Sequence, residues 1–156
     1  MLNTKKTAAI LNDLIQINND RIEGYEKAAQ QTDIIDADLR GLFMRLANIS
    51  RDNVTELTTR VNETGHEAKT DSTTVSGDIY RVWMDVKATF GGKDRRTILE
   101  SCEYGEDAAQ EAYQSALEEA EEDNISPDAI SVIVKQKANL RRAHDEIKLL
   151  RDSQTA

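Results

Sequence analysis

The sequence predicts an all-α protein that folds as an up-down four-helix bundle. Three observations lead to this prediction. Apolar residues recur at helical spacing in four long segments, the 156 residues include only one Pro and seven Gly, and no segment alternates as a strand does. A chain of this length suits one domain with a single sizeable core. We therefore expect a single domain over residues 1–156.

The first two helices are predicted over residues 4–31 and 36–64. A short polar break separates them, and Asp36 is suited to cap the second helix. Gly65 is a natural stop at its C-terminal end. Because the connection is short, we expect the two helices to be antiparallel. Their apolar stripes consist of Ala8, Leu11, Ile15, Ile22, Tyr25 and Ala29, and of Leu39, Leu42, Phe43, Leu46, Ile49, Val54, Leu57 and Val61.

The last two helices are predicted over residues 95–121 and 127–152. Ser126 and Pro127 form a strong start signal for the last helix, since Ser favours the cap and Pro the first helical position. The short connection again predicts an antiparallel pair. The apolar stripes consist of Leu99, Cys102, Ala109, Tyr113, Ala116 and Ala120, and of Ile130, Ile133, Leu140, Ile147 and Leu150.

About thirty residues connect the second long helix to the third, and they carry an apolar pattern of their own. The pattern predicts a short extra helix over residues 75–90. A four-helix bundle with one long crossover is the ferritin-like arrangement. Trp83, Val86 and Phe90 in this segment have two interpretations. They pack across the outside of the bundle, or they form a dimer interface, where Trp is favoured.

The composition excludes several classes of function. A net charge of −9 argues against nucleic acid as a partner, because phosphate binding needs a basic surface. No run of about 18 apolar residues predicts a membrane span, and no apolar segment of a signal peptide follows the N-terminus. Cys102, the single cysteine, excludes an intramolecular disulfide framework and a Cys-rich zinc site. We therefore expect a cytoplasmic protein.

Polar residues interrupt the apolar stripes near the middle of each helix. Because an unpaired buried polar group is costly, we expect these residues to meet one another. Counted from the connecting turns at a rise of ~1.5 Å per residue, they reach about the same height in the bundle. The predicted polar core layer consists of Asn18, Ser50, Asn53, Glu106 and His144, with the hydroxyls of Tyr25 and Tyr113 able to join it.

The layer has a structural and a functional interpretation. In the structural one, Glu106 and His144 form a hydrogen-bonded pair that fixes the register of the helices. In the functional one, they are the remaining ligands of a metal site. A di-metal site of this fold needs a Glu on two helices and Glu-x-x-His on the other two, and only Glu106 and His144 fit that plan. They would hold a single iron, manganese or zinc ion, with Glu103 or Glu26 recruited, or contribute to a true di-metal site. The structural interpretation needs no cofactor.

Four segments together resemble a known family. They read ILNDLIQINNDRIEGYEKAA at 10–29, VWMDVKATFGGKD at 82–94, ILESCEYGEDAAQEAY at 98–113 and RRAHDEIKLLRD at 141–152. The chain resembles, over about residues 8–152, a bacterial ferritin-like and rubrerythrin-related family of four-helix bundles with a domain of unknown function. The resemblance implies the fold and a bacterial soluble protein. It implies no settled activity, and ferroxidase or peroxidase chemistry is not carried over because most ligand positions differ.

Two functions remain as expectations. The first is a non-enzymatic, stress-associated bundle without catalytic residues, which acts by self-association or protein interaction as a homodimer. The incomplete ligand set and the apolar pattern around Trp83 favour it. The second is an iron- or manganese-binding redox or storage protein that uses Glu106 and His144.

Overall fold

The computed structural model describes residues 3–31, 37–69 and 95–154. It contains four helices, and their bounds agree with the predicted ones to within one residue. They are α1 (Thr4–Gln31), α2 (Ala37–Glu63), α3 (Arg95–Glu122) and α4 (Pro127–Asp152). Every element in these ranges is helical, so the prediction of an all-α bundle is confirmed for this part of the chain.

Local sequence signals explain where the helices begin and end. The side chain of Asn3 caps α1, because its Oδ1 accepts a hydrogen bond from the backbone N–H of Lys6 at 3.0 Å. Gly65 follows α2 with φ +82°, a conformation that glycine adopts without steric cost. Asn124 takes φ +55° in the turn between α3 and α4, and Pro127 occupies the first turn of α4.

The ion pairs of α1 establish its direction relative to α3. Lys6 near the start of α1 lies 3.8 Å from Asp123 just after α3. Arg21, further along α1, contacts Glu106 in the first half of α3. Because residue numbers rise in one helix as they fall in the other, α1 and α3 are antiparallel.

The same comparison shows that α2 and α4 are antiparallel. Arg45 near the start of α2 lies 2.5 Å from Glu146 near the end of α4, and Glu56 contacts Lys135. Asn18 contacts Asn53 and Glu26 contacts Arg51, so α1 and α2 are also antiparallel. The contacts of Tyr113 with Gln136 and of Asp107 with His144 show the same for α3 and α4, so each helix is antiparallel to both of its neighbours. Helices α2 and α3 therefore run in the same direction, and the connection between them starts and ends at opposite ends of the bundle.

The extra helix predicted over residues 75–90 lies outside the described residues. The predicted interface residues Trp83, Val86 and Phe90 lie there as well. Within the described ranges, no helix has an apolar stretch long enough to cross a membrane.

The core of the bundle consists of two apolar clusters. One lies toward the turn between α3 and α4, and the other toward the starts of α2 and α3. The first is centred on Leu11, Leu14, Ile15, Leu57, Val61, Ala116, Ile133 and Leu140. The second is centred on Ala28, Leu39, Phe43, Leu46, Leu99, Cys102 and Ile147. The polar residues described below lie between these two clusters.

Phe43 and Met44 are neighbours that differ in their contribution to this core. Phe43 is fully buried and stacks on Tyr25 with ring centroids 5.7 Å apart, whereas Met44 is 47% exposed. We expect Phe43→Ala to lower the free energy of unfolding by about 3–5 kcal/mol, because it leaves a cavity. Met44→Ala should change it by about 0.5 kcal/mol or less. Urea denaturation followed by circular dichroism measures both, and equal losses would contradict the assigned face of α2.

Candidate functional site

A polar layer crosses the bundle at mid-height and receives side chains from all four helices. The seven residues predicted for the layer are all buried, with 6% exposure or less. They are Asn18, Tyr25, Ser50, Asn53, Glu106, Tyr113 and His144. Their contacts divide them into a hydrogen-bonded interior and a separate group around His144 at the edge of the bundle.

Asn18 on α1 is the centre of the interior hydrogen-bond network. Its amide nitrogen donates to the hydroxyl of Tyr113 and to the carbonyl of Leu14, both at 2.8 Å. Its carbonyl oxygen accepts hydrogen bonds from Ser50 at 2.9 Å and from Asn53 at 3.1 Å. One side chain of α1 is thus bonded to both α2 and α3, which satisfies its buried polar atoms.

Gln136 on α4 extends the network to the surface. Its Oε1 accepts a hydrogen bond from the hydroxyl of Tyr113 at 2.7 Å, and its Nε2 donates to Glu56 at 3.0 Å. Glu56 is also ion-paired with Lys135 on the outside of α4. Burial raises the pKa of Glu56, but hydrogen bonds from Lys135 and Gln136 lower it more, so the pKa lies below its ordinary value.

A fully buried ion pair joins α1 to α3 beside this network. The Nε of Arg21 lies 2.7 Å from Oε1 of Glu106, and both side chains are completely buried. The same carboxylate oxygen accepts a hydrogen bond from the hydroxyl of Tyr25 at 2.8 Å. A second guanidinium nitrogen donates to Ser50, and the guanidinium lies 5.3 Å from the centre of the Tyr25 ring.

The electrostatics of the interior keep Arg21 charged and Tyr25 and Cys102 protonated. Burial lowers the pKa of Arg21, but Glu106, Tyr25 and Tyr113 together raise it more, so Arg21 stays a cation. Burial and the Glu106 charge both raise the pKa of Tyr25, which remains a phenol that donates its proton. The same two causes raise the pKa of Cys102 well above its ordinary value, so this thiol is unsuited to act as a nucleophile.

His144 lies at the seam between α3 and α4, where carboxylates surround it. Its Nε2 is 2.7 Å from Oδ1 of Asp107 and 4.0 Å from Oε1 of Glu103. Its Nδ1 is 3.1 Å from Oδ1 of Asp145. Glu103 and Asp107 are one helical turn apart and therefore share a face of α3. The side chains of His144 and Glu103 are 7% and 12% exposed, whereas that of Asp107 is 55% exposed.

Two arginines of α4 approach this group. Arg151 forms an ion pair with Glu103 and also lies 2.7 Å from Asp152. Arg141 lies 3.2 Å from Asp145, whose pKa is lowered first by its hydrogen bond with His144 and also by the charge of Arg141.

One imidazole and two carboxylates in this group meet closely enough to share a metal ion. One ligand atom each from Glu103, Asp107 and His144 lies within 4.8 Å of the others. Of the two predicted ligands, His144 belongs to this group, while Glu106 has Arg21 and Tyr25 as partners. Of the two residues that the sequence offered as recruits, Glu103 belongs to the group, and Glu26 is ion-paired with Arg51.

Arg21 and Gln136 are central to the layer but are not among the residues predicted for it. A strict alternation of three and four residues identifies both, because that alternation marks the innermost face of a bundle helix. In α1 it selects Leu11, Leu14, Asn18, Arg21, Tyr25 and Ala28, and in α4 it selects Ala129, Ile133, Gln136, Leu140, Ala143 and Ile147.

The same alternation explains two differences from the predicted stripes. Ile22 is only partly buried, because Arg21 occupies the inner position beside it. His144 follows the inner residue Ala143 and therefore points toward the α3 seam rather than the centre. Hydropathy favoured Ile22 over Arg21, since a long charged side chain is rarely buried without a partner.

A known protein family matches most of the chain. The sequence pattern of a family described as Domain of unknown function (DUF2383) matches residues 6–119. This range includes all of α2 and most of α1 and α3, with Arg21, Glu103, Glu106 and Asp107. His144 on α4 lies beyond it. No curated protein matches the chain.

The buried ion pair makes a double-mutant test informative. Arg21→Met or Glu106→Leu alone should lower the free energy of unfolding by about 3–5 kcal/mol, because each leaves an uncompensated buried charge. The double variant should lose far less than the sum, since it removes both charges. Urea denaturation of the wild type and the three variants gives the coupling. Additive losses would contradict a direct interaction between the two side chains.

The lowered pKa of Glu56 leads to a prediction of how the stability of the fold depends on pH. Its pKa is lower in the folded chain than in the unfolded chain, so its charge stabilises the fold above the unfolded pKa. That contribution is lost as the pH falls through the folded pKa. Between about pH 6 and pH 3, wild type should therefore lose more stability than Glu56→Gln. The control Glu111→Gln, at an exposed position, should lose as much as the wild type, and identical curves for all three would contradict the prediction.

Proposed function

The chain belongs to the DUF2383 family, and we propose that it binds a single divalent metal ion through Glu103, Asp107 and His144. One observation carries the proposal. An imidazole and two carboxylates from two helices converge, with one ligand atom of each within 4.8 Å of the others. The described residues form four helices with a Glu/Asp/His cluster, and the proposal assigns a metal ion to that cluster.

The ligand types indicate which metals the group suits. Imidazole nitrogen and carboxylate oxygen together favour Zn²⁺, Mn²⁺ or Fe²⁺, whereas Cu⁺ prefers sulfur ligands. Two carboxylates balance the charge of a divalent cation. Three protein ligands would leave at least one coordination position for water or another small molecule.

The surroundings of His144 support the assignment of Nε2 as the ligand atom. Asp145 contacts Nδ1 at 3.1 Å, and a carboxylate on the second ring nitrogen is the usual partner of a metal-bound histidine. Nε2 lies 2.7 Å from the carboxylate of Asp107, so without a metal it donates a proton there, and a bound metal ion would replace that proton while Nδ1 donates to Asp145. The exposed side of Asp107 gives a metal ion access from solvent.

The interior of the bundle supports the choice of this group over Glu106. Arg21 already balances the charge of Glu106, and a metal ion at the same carboxylate would be repelled by the guanidinium. The His144 group contains three carboxylates, counting Asp145, and two arginines, Arg141 and Arg151, are paired with it. The carboxylates at the seam therefore outnumber the arginines, whereas the Arg21–Glu106 pair is neutral, and the remaining negative charge favours a cation at the seam.

A ferritin-like relation is part of the proposal. It is supported by the resemblance of the sequence and by the parallel direction of α2 and α3, which one long crossover requires. The ligand group proposed here lies outside the central position of a di-metal site. We therefore propose metal binding and do not extend it to ferroxidase chemistry.

Self-association through Trp83, Val86 and Phe90 stays a prediction, since these residues lie outside the described ranges. Light scattering at high protein concentration tests it. A homodimer is expected, and a strict monomer would contradict it.

The two histidines of the chain provide a matched test of metal binding. Wild type purified without a metal-affinity tag should bind about one equivalent of Zn²⁺ or Mn²⁺ in isothermal titration calorimetry, and His144→Ala should lose this binding. His66→Ala should retain it, because His66 is exposed and outside the group. Asp107→Asn should weaken binding about tenfold or more.

The proposal has clear contradicting outcomes. Binding that survives in His144→Ala and is lost in His66→Ala would place the metal elsewhere. An absence of binding in wild type at millimolar metal, supported by elemental analysis without bound iron, manganese or zinc, would contradict the proposal as a whole.

A further inference from the structure

Arg151 is placed to compete with the metal ion for one of its ligands. We propose that the Arg151 guanidinium is a built-in competitor that lowers the affinity of the site for divalent cations. The inference rests on the proposed function, because it concerns the same group of ligands. It assigns to Arg151 a role in setting affinity without contact between Arg151 and the metal.

Arg151 and the metal ion would share one carboxylate, that of Glu103. Nη1 of Arg151 forms an ion pair with Oε2 of Glu103, while Oε1 of Glu103 is the atom that faces His144. A divalent cation on Oε1 would lie within a few ångströms of the guanidinium. Like charges at that distance repel, so either the cation binds more weakly or Arg151 leaves Glu103.

The ion pair of Arg151 and Glu103 is partly shielded from water. Glu103 is 12% exposed and Arg151 is 25% exposed, whereas most other ion pairs of the described residues include a partner above 40%. A shielded pair is screened less by solvent and salt than an exposed one. Arg151 therefore competes more effectively than a surface arginine would.

Arg151 has a second ion-pair partner, Asp152, that remains if Arg151 leaves Glu103. Its Nε and Nη2 lie 3.2 and 2.7 Å from Oδ1 of Asp152, which is 54% exposed. If a metal ion displaces Arg151 from Glu103, the guanidinium keeps this neighbour. The displacement then costs one ion pair and leaves no buried unpaired charge.

Competition of this kind is reciprocal. Arg151 lies in the last turn of α4 and forms an ion pair with Glu103 on α3. If Arg151 weakens metal binding, metal binding weakens this ion pair by the same free energy. A metal ion is therefore expected to loosen the C-terminal turn of α4, where Arg96 and the carbonyl of Gln154 form a neighbouring contact at 2.8 Å.

The test compares three arginine variants by Zn²⁺ titration calorimetry at fixed pH and ionic strength. Arg151→Gln should bind Zn²⁺ about five- to tenfold more tightly than wild type, because it frees Glu103. Arg151→Lys keeps the charge and should stay closer to wild type. The control Arg142→Gln removes the same charge from an exposed position of α4 that contacts Asn139, and it should change the affinity by less than about twofold.

The outcomes separate this inference from the proposed function. If wild type binds Zn²⁺ through His144 and Arg151→Gln binds it no more tightly, the inference is wrong and the proposed function stands. If the tighter binding of Arg151→Gln persists after His144→Ala is added, the gained binding lies elsewhere and the inference is again wrong. If neither wild type nor Arg151→Gln binds Zn²⁺, both are wrong.

Discussion

The buried ion pair of Arg21 and Glu106 is the constraint on which the rest of the bundle depends. A guanidinium and a carboxylate that are both fully buried must lie at the same height, since neither can reach water as an alternative partner. The pair therefore fixes the register of α1 against α3. Ser50 and Tyr25 contact the same two groups, and Asn18 joins Ser50 to Tyr113, so α2 follows the same register. Leu and Ile layers alone would tolerate several registers, while this network accepts one.

This ion pair also determines where a metal ion can bind. Glu106 occupies the central position at which a carboxylate of a bundle metal site is expected, but Arg21 supplies the balancing charge. The histidine is displaced from the centre by one residue and lies at the α3–α4 seam with Glu103 and Asp107. The structure thus separates two roles that the sequence suggested for one layer. The interior carries the Arg21–Glu106 ion pair with its hydrogen-bond network, and the seam carries the cluster of Glu103, Asp107 and His144.

The sequence predicted the helices well because capping residues and apolar periodicity are local signals. Gly65 and Pro127 lie at the helix ends as expected, and Asn3 caps α1. The partners of the polar residues were harder to predict, because they depend on how each helix is rotated about its own axis. A difference of one residue position changes which side chain faces the centre. Apolar stripes place a helix face only approximately, so Ile22 and His144 were assigned to the centre, where Arg21 and Gln136 lie. No local signal pairs Glu103 with His144, since their contact joins two helices.

The central claim is that Glu103, Asp107 and His144 hold the metal ion. Crystals grown with Mn²⁺ or Zn²⁺ test it most directly, through the anomalous difference density of the metal. The claim predicts one peak at the α3–α4 seam, about 2.0–2.2 Å from Nε2 of His144 and from a carboxylate oxygen of Glu103 and of Asp107. A peak beside Glu106 inside the bundle, or a seam without density at saturating metal, would contradict it.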